Sequence, residues 1–237
     1  MQSMSPLVSV IVPVYNSSSF INEALLSVEA AMGTLVYEII VVNDGSTDDI
    51  EAVLQPWMSK ISYISQTNQG AAAARNVGIK KALGTYIAFL DADDMWAPNH
   101  MTVLLNEFTK KSTVEIAMGC LQRFWHTDEN YFDKIFYGGW DLLPSFGASV
   151  IRKDVFQNVG MIEVSYRFHE DVDWFLRAVE SQVIIATVPK LVSYYRVHMS
   201  NTTHDLQPTD RGLLRVLAAS LKRRDSKEIA SLREIGI

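Results

Sequence analysis

The chain of 237 residues predicts an α/β fold, a mostly parallel sheet flanked by helices with a helical extension at its C-terminal end. Three observations carry that reading. Apolar runs of strand length at 7–14, 37–42 and 86–90 look buried, and the first, rich in β-branched residues, looks buried on both faces, as central parallel strands are. Stretches with helical spacing lie between them, joined by short connections. Each run then breaks off into a polar cluster: Tyr15 and Asn16, Asp44 to Ser46, and Asp91 to Asp94. That is the end of the strand at which open α/β sheets bind their ligands.

The elements follow in order. The first run contains Pro13, which cannot donate to a ladder, so its strand ends near there. Asn16 and the serines after it offer N-caps to a helix whose apolar positions are Phe20, Ile21, Ala24, Leu25 and Val28. The second strand closes on a turn from Asn43 to Asp48, and Ile50, Val53 and Leu54 give the next helix its apolar side. A short third strand covers 61–64; Asn68, Gln69 and Gly70 punctuate before a helix over 71–83 that holds Arg75 and Asn76. Gly84 ends that helix and the acidic strand follows. In the second half, 101–108 is helical and 114–118 is a strand. Residues 137–140, with two glycines and Trp140, read as an exposed loop. Gly147 sits in a segment entering a strand at 149–152, and 154–159 is a short helix ended by Gly160. His169, Glu170 and Asp171 precede a helix with Val172, Phe175, Leu176 and Val179 toward the core. A strand at 183–188 leads to Tyr194, Arg196 and His198, and 211–235 forms one or two amphipathic helices with Lys222, Arg223 and Arg224 on a polar face.

Composition narrows the function. A formal charge of −6 argues against nucleic acid as a partner, which wants a basic surface. The single cysteine excludes an internal disulfide and a cysteine-based zinc site, and fits a reducing compartment. No apolar run is long enough to span a bilayer, and the first residues lack the pattern of a signal peptide, so a cytoplasmic location is expected. No glycine-rich dinucleotide fingerprint or phosphate-binding loop follows the first strand. The strand ending in Asp91, Asp93 and Asp94 is the feature that asks for chemistry. Neighbouring carboxylates repel and raise one another's pKa. A hard divalent cation, Mg²⁺ or Mn²⁺, removes the conflict, because it prefers oxygen ligands and commonly takes one or two carboxylates plus substrate phosphates. The competing reading is a polar loop in which Asp93 or Asp94 caps the helix after Pro98.

Taken together, the segments ending in Pro13, Tyr15 and Asn16, in Asp44 to Ser46, the Asn68 to Gly78 stretch with Arg75, the Asp91, Ala92, Asp93, Asp94 turn and the His169, Glu170, Asp171 triplet resemble the family 2 glycosyltransferases of the GT-A (Rossmann-like) fold. The resemblance implies an inverting transferase that moves a sugar from a nucleoside-diphosphate sugar, by family weighting a UDP-sugar, to a hydroxyl of a saccharide or lipid-linked acceptor with a divalent metal. It implies a transferase domain over 1–205, its 1–100 half binding nucleotide and its 101–205 half binding acceptor, followed by the helical extension 206–237.

The resemblance also assigns roles. Pro13, Tyr15 and Asn16 line the nucleoside, and Asp44 accepts a hydrogen bond from the base. Arg75 serves the donor site, and Asp91, Ala92 and Asp93 form the donor turn, with Asp91 on the ribose and Asp93 on the metal. Asp94 orients a metal-bound water, and His198 completes the metal or diphosphate shell. Asp171 is the general base that inversion requires. Glu170 and Gly147 face the acceptor. Apart from the resemblance, Trp140 and Tyr137 are read either as stacking on an acceptor ring, since aromatic faces suit the apolar side of sugars, or as a lid packed on the core. His100, His126 and His204 read as surface residues. The basic helix at the end either packs on the body or touches an anionic membrane face. Two other readings compete: a non-catalytic module that binds a nucleotide sugar or a partner chain, and a sugar nucleotidyltransferase, whose glycine-rich basic loop is missing from this sequence.

Overall fold

The computed structural model describes residues 5–126, 134–198 and 206–234. Its strands are β1 (Val8–Val14), β2 (Tyr37–Asn43), β3 (Ile61–Ser65), β4 (Tyr86–Phe89), β5 (Met95–Trp96), β6 (Ile116–His126), β7 (Lys134–Asp141), β8 (Ser149–Arg152) and β9 (Ile185–Val197). The helices are α1 (Ile21–Met32), α2 (Ile50–Leu54), α3 (Ala71–Lys81), α4 (His100–Lys110), α5 (Val155–Val159), α6 (Glu170–Glu180) and α7 (Leu206–Glu234). One sheet runs in the order β3-β2-β1-β4-β8-β6-β9-β5, with β7 paired to β6. From β3 to β4 every pairing is parallel, so the C-terminal ends of β1, β2 and β4 lie side by side, as the sequence predicts. Beyond β4 the pairings are antiparallel except that of β6 with β9.

The parallel strands are apolar because both faces are covered. Val8, Val10 and Val12 of β1 face a cluster with Ala24, Leu25 and Val28 of α1, while Ile11, Ile40 and Phe89 face the opposite cluster with Ala74 and Ile79 of α3. Gly78 lets α3 lie against β1, since a Cβ there would stand 2.3 Å from Ile11 Cγ2.

Several expectations are corrected. Residues 137–140 are not a loop but part of β7, whose ladder with β6 outweighs the loop preference of two glycines. The strand expected at 183–188 runs on to Val197 as β9, through Pro189, where the register with β6 shifts. On α6 the buried set is Asp173, Trp174, Phe175 and Ala178, and Val179 is 55% exposed. That helix starts at Glu170, and the phase set there turns Val179 outward. The N-cap expected at the start of α1 is absent: Ser18 N donates instead to Asp48 Oδ2. Neither Asp93 nor Asp94 caps α4, which begins after Asn99. His100 is fully buried, with Nδ1 2.9 Å from Val192 O, and burial pushes its pKa down to about 3. His204 and the side chains of His126 and Tyr137 lie outside the described residues. Among the described residues no helix is long and apolar enough to cross a membrane.

Candidate functional site

The polar clusters meet at the shared end of β1, β2 and β4. After β1 the chain turns through Asn16, at φ 50°, a left-handed conformation that asparagine tolerates. Asn16 Oδ1 accepts from Thr47 N at 2.7 Å, and Asn16 N donates to Ser46 Oγ at 3.0 Å, so the loops after β1 and β2 are latched together. Pro13 is buried opposite Val42, and Tyr15 stands half exposed at the rim.

Asp44 is 3% exposed, and its carboxylate is heavily engaged. Oδ1 accepts from Gln66 Nε2 (2.7 Å) and Gln69 N (2.9 Å), and Oδ2 accepts from Gly70 N (2.7 Å). The last two of these bonds satisfy backbone donors just ahead of α3, of the kind a helix start leaves without partners. Gly45 permits the approach: at φ 73°, a Cβ there would lie 2.8 Å from Asn68 N. Gln66 and Gln69 are partners that the sequence does not announce; the signal was the glycine before α3, whose neighbouring N–H groups need an acceptor.

Arg75 is drawn to the same end of the sheet by the close packing of α3 on β1. Only 6% exposed, it donates from Nη2 to Asp91 Oδ1 (2.6 Å) and from Nη1 to Glu170 Oε1 (2.7 Å), with its guanidinium 5.6 Å from the Phe146 ring centroid. A solvated helical arginine would make no such bridge. Residues 95 positions apart, Arg75 and Glu170, thereby bring Asp171 to the acidic turn after β4.

That turn is tight: Asp94 N donates to Asp91 O at 3.0 Å, across Ala92 and Asp93. Asp93 Oδ2 lies 3.0 Å from His198 Nε2, and the His198 ring packs on Phe20 at 4.6 Å between centroids. Asp94 does not point out to solvent; its Oδ1 accepts from Arg196 N at 2.8 Å. Arg196, fully buried, also donates from Nε to Asp93 O at 2.6 Å and from Nη2 to Glu23 Oε2, its charge held between Phe20 and Phe124. The sequence does not announce this buttress, because β9 also carries Thr187, Lys190 and Ser193 and nothing singles Arg196 out among them.

Electrostatics separate the carboxyls. Burial, then the charges of Asp93 and Asp91, pushes Asp94 well above its ordinary value. Burial also raises Asp91, against the opposing pull of Arg75. Asp171, in the first turn of α6, is raised to about 6 by burial and then by the neighbouring Glu170; its Oδ1 accepts from Val172 N at 2.8 Å. A carboxyl so placed can exchange a proton near neutral pH.

The remaining candidates are less tightly drawn in. Gly147 O accepts from Trp96 Nε1 at 3.1 Å, and an added Cβ at Gly147 would find nothing nearer than 3.8 Å, so protein packing does not demand glycine there. Trp140 is 57% exposed on β7 and is not part of the bridges just described. Among the described residues no group of three or more His, Cys, Asp or Glu side chains is poised for a metal. Asp93 and His198 supply two donors, a set that fits a cation completing its shell with water and diphosphate oxygens.

The family model described as glycosyl transferase family 2 matches residues 9–166. The chain belongs to that family. A glycosyltransferase of Rickettsia prowazekii (strain Madrid E) is 30% identical over 214 residues, 84% of this chain and 67% of that protein. Among solved structures, this family 2 chain resembles S. aureus TarS 1-349 in complex with UDP-GlcNAc (20% identity, TM-score 0.68, 84% of this chain and 60% of that one). It also resembles the mannosyltransferase PcManGT from Pyrobaculum calidifontis in complex with GDP-Man and Mn²⁺ (16% identity, TM-score 0.72, 93% and 65%). These likenesses show the fold, GT-A. The chain thus spans under two thirds of the length of either solved relative. The matched segment of the family model ends before Glu170, Asp171 and His198.

Proposed function

We propose that this family 2 chain is an inverting glycosyltransferase, moving a sugar from a nucleoside-diphosphate sugar, a UDP-sugar by preference, to a hydroxyl of a saccharide or lipid-linked acceptor. The observation that carries this reading is the Arg75 bridge, which sets the raised carboxyl of Asp171 beside the acidic turn after β4. On this reading residues 1–100 bind the donor, with Pro13, Tyr15, Asn16 and Asp44 around the nucleoside and Asp91, Ala92 and Asp93 at the ribose and diphosphate. Residues 101–205 receive the acceptor near Gly147, Glu170 and Trp140, and 206–237 is an extension.

Asp171 takes the proton of the acceptor hydroxyl as that oxygen attacks the anomeric carbon from the face opposite the leaving group. Its raised pKa makes it a stronger base than an ordinary carboxylate while leaving it ionised at neutral pH. Arg75 acts as a positioning residue, since both of its terminal nitrogens are engaged by Asp91 and Glu170. Asp93 and His198 would hold a divalent cation, Mn²⁺ or Mg²⁺, whose chemistry is to neutralise the charge growing on the leaving diphosphate. The nucleotide sugars and Mn²⁺ bound by the two structural relatives support the donor and metal classes.

The test is a thermal-shift panel of UDP-, GDP- and dTDP-sugars with and without Mn²⁺, on the native chain and on Asp93→Ala. A ligand of the folded state raises stability by about 2.7 kcal/mol at a hundredfold excess over Kd. Metal-dependent stabilisation by one nucleotide class, lost in Asp93→Ala, is expected. Equal stabilisation with and without metal would strip Asp93 of its role as a metal ligand.

A further inference from the structure

The helix that carries Asp171 is held from two sides. At its start, Glu170 is tied to Arg75 of α3. Along its length it is tied to α7. Asp173, two residues past Asp171, is 1% exposed and accepts from Arg177 Nε at 2.9 Å and from Arg223 Nη1 at 3.2 Å. Glu180, at the other end of the helix, accepts from Arg223 Nε at 2.6 Å and from Ser220 Oγ at 2.5 Å. Arg177 spends its other nitrogens on Val159 O and Met161 O, at 2.8 and 2.9 Å. Arg223 thus reaches both of these carboxylates from outside α6, while Arg224 Nε stands 3.8 Å from Glu180 Oε1 alone. A buried carboxylate is tolerated only when compensated, so the pairing matters more than a surface ion pair would.

The same helix also closes on the residues just before the base. A Cβ on Gly212 would stand 3.3 Å from His169 Cδ2 and 3.9 Å from Phe168 O, and the Arg215 guanidinium lies 5.5 Å from the Tyr166 ring centroid. His169 has φ 63°, a left-handed conformation unfavourable to a residue with a side chain, so something must hold it. Val216 and Ser220, both buried, complete the inward face of α7.

We infer that α7 is a strap that positions the proposed base: Arg223, through Asp173 and Glu180, and the close approach at Gly212 fix the turn His169, Glu170, Asp171. Arg223 is on this account a positioning residue, acting through α6 without touching substrate. The inference rests on the reading of Asp171 as base, but its first test does not. The Lys222, Arg223, Arg224 cluster is then not a single polar face, since its middle member points inward.

The experiment compares the full chain with Arg223→Met, which keeps length and loses charge, and with Arg223→Lys. Amide hydrogen exchange at residues 168–173 is expected to quicken by about tenfold or more in Arg223→Met while the amides of β1 and β2 stay as slow as before, because local opening is separable from global unfolding. Arg223→Lys restores part of the protection, since an ammonium supplies the charge without the fork. Release of UDP from the UDP-sugar that stabilises the chain with Mn²⁺ should fall by about tenfold in Arg223→Met with UDP affinity within twofold. Unchanged exchange at 168–173, or equal acceleration there and in β1, overturns the inference. Should Arg223→Met fail to fold, Glu180→Gln removes one partner charge at constant shape and is held to the same criteria. Full turnover in Asp171→Asn would sink the base assignment alone, leaving the exchange result to stand for the strap.

Discussion

Asp44 and Asp171 both stand beside the start of a helix, and the structure uses them in opposite ways. Asp44 spends its carboxylate on three donors around the entry to α3. Asp171 has a bond from Val172 N, the amide next to it, and burial leaves its proton held up to about 6. One carboxylate is already satisfied by donors of the chain and the other is poised for proton exchange. An aspartate at a helix start thus declares its role through the donors around it. Asp44 reaches its helix from the turn after β2, across the chain, whereas Asp171 lies in the first turn of its own.

The greatest change should be in turnover. Asp171→Asn should lower transfer by about 10²- to 10⁴-fold with nucleotide affinity unchanged, the usual weight of a general base. Steady-state rates and UDP titrations on the same preparation check it, and unaltered transfer would put Asp171 on the same footing as Asp44. Next, Asp44→Ala should cost about 2–4 kcal/mol of stability by urea unfolding, because it leaves Gln69 N and Gly70 N without their acceptor. A loss below about 0.5 kcal/mol, the level of an ordinary surface change, would mean that water replaces it and that Asp44 is no keystone.

The pH dependence extends the contrast. Turnover should rise with pH through about 6 as Asp171 ionises. The folded-state pKa of this carboxyl lies above its ordinary 3.8, so the folded chain binds more protons between 3.8 and about 6, and stability is lost as pH rises through that window. Asp171→Asn removes the penalty: it should stabilise the chain by about 1–2 kcal/mol at pH 7, after discounting for partial exposure, and by nothing below pH 3.8. Thermal unfolding of both chains across pH 3–8 decides this. The mildest change belongs to Trp140→Ala, which should leave stability within about 0.5 kcal/mol, as for an exposed side chain away from packed contacts. A fall in acceptor affinity without a change in donor affinity would draw Trp140 into the site.

How much of this could be read in advance differs between the two halves. Around Asp44 and the turn after β4, the polar residues follow apolar runs directly, and the parallel pairing of β1, β2 and β4 brings those ends together without further information. The second half was less legible. β7 was hidden by its glycines, β9 by Pro189, and the phase of α6 by a start at Glu170 that only contacts with distant residues explain. Arg196 and Arg223 were unreadable as buttresses, because what makes them so are carboxylates far along the chain: Glu23 for one, Asp173 and Glu180 for the other.

The residues in order were enough for the alternation of buried strands and helices, the end of the sheet where polar groups collect, and the family to which those groups point. Hydrophobic period and turn chemistry are local properties, and they are written residue by residue. Which polar groups meet was settled by the folded chain alone. Arg75 with Glu170, Asp93 with His198 and Arg223 with Asp173 are pairs formed by chain crossings, and burial then set their worth, because the cost of an unpaired charge depends on how much water the fold leaves beside it.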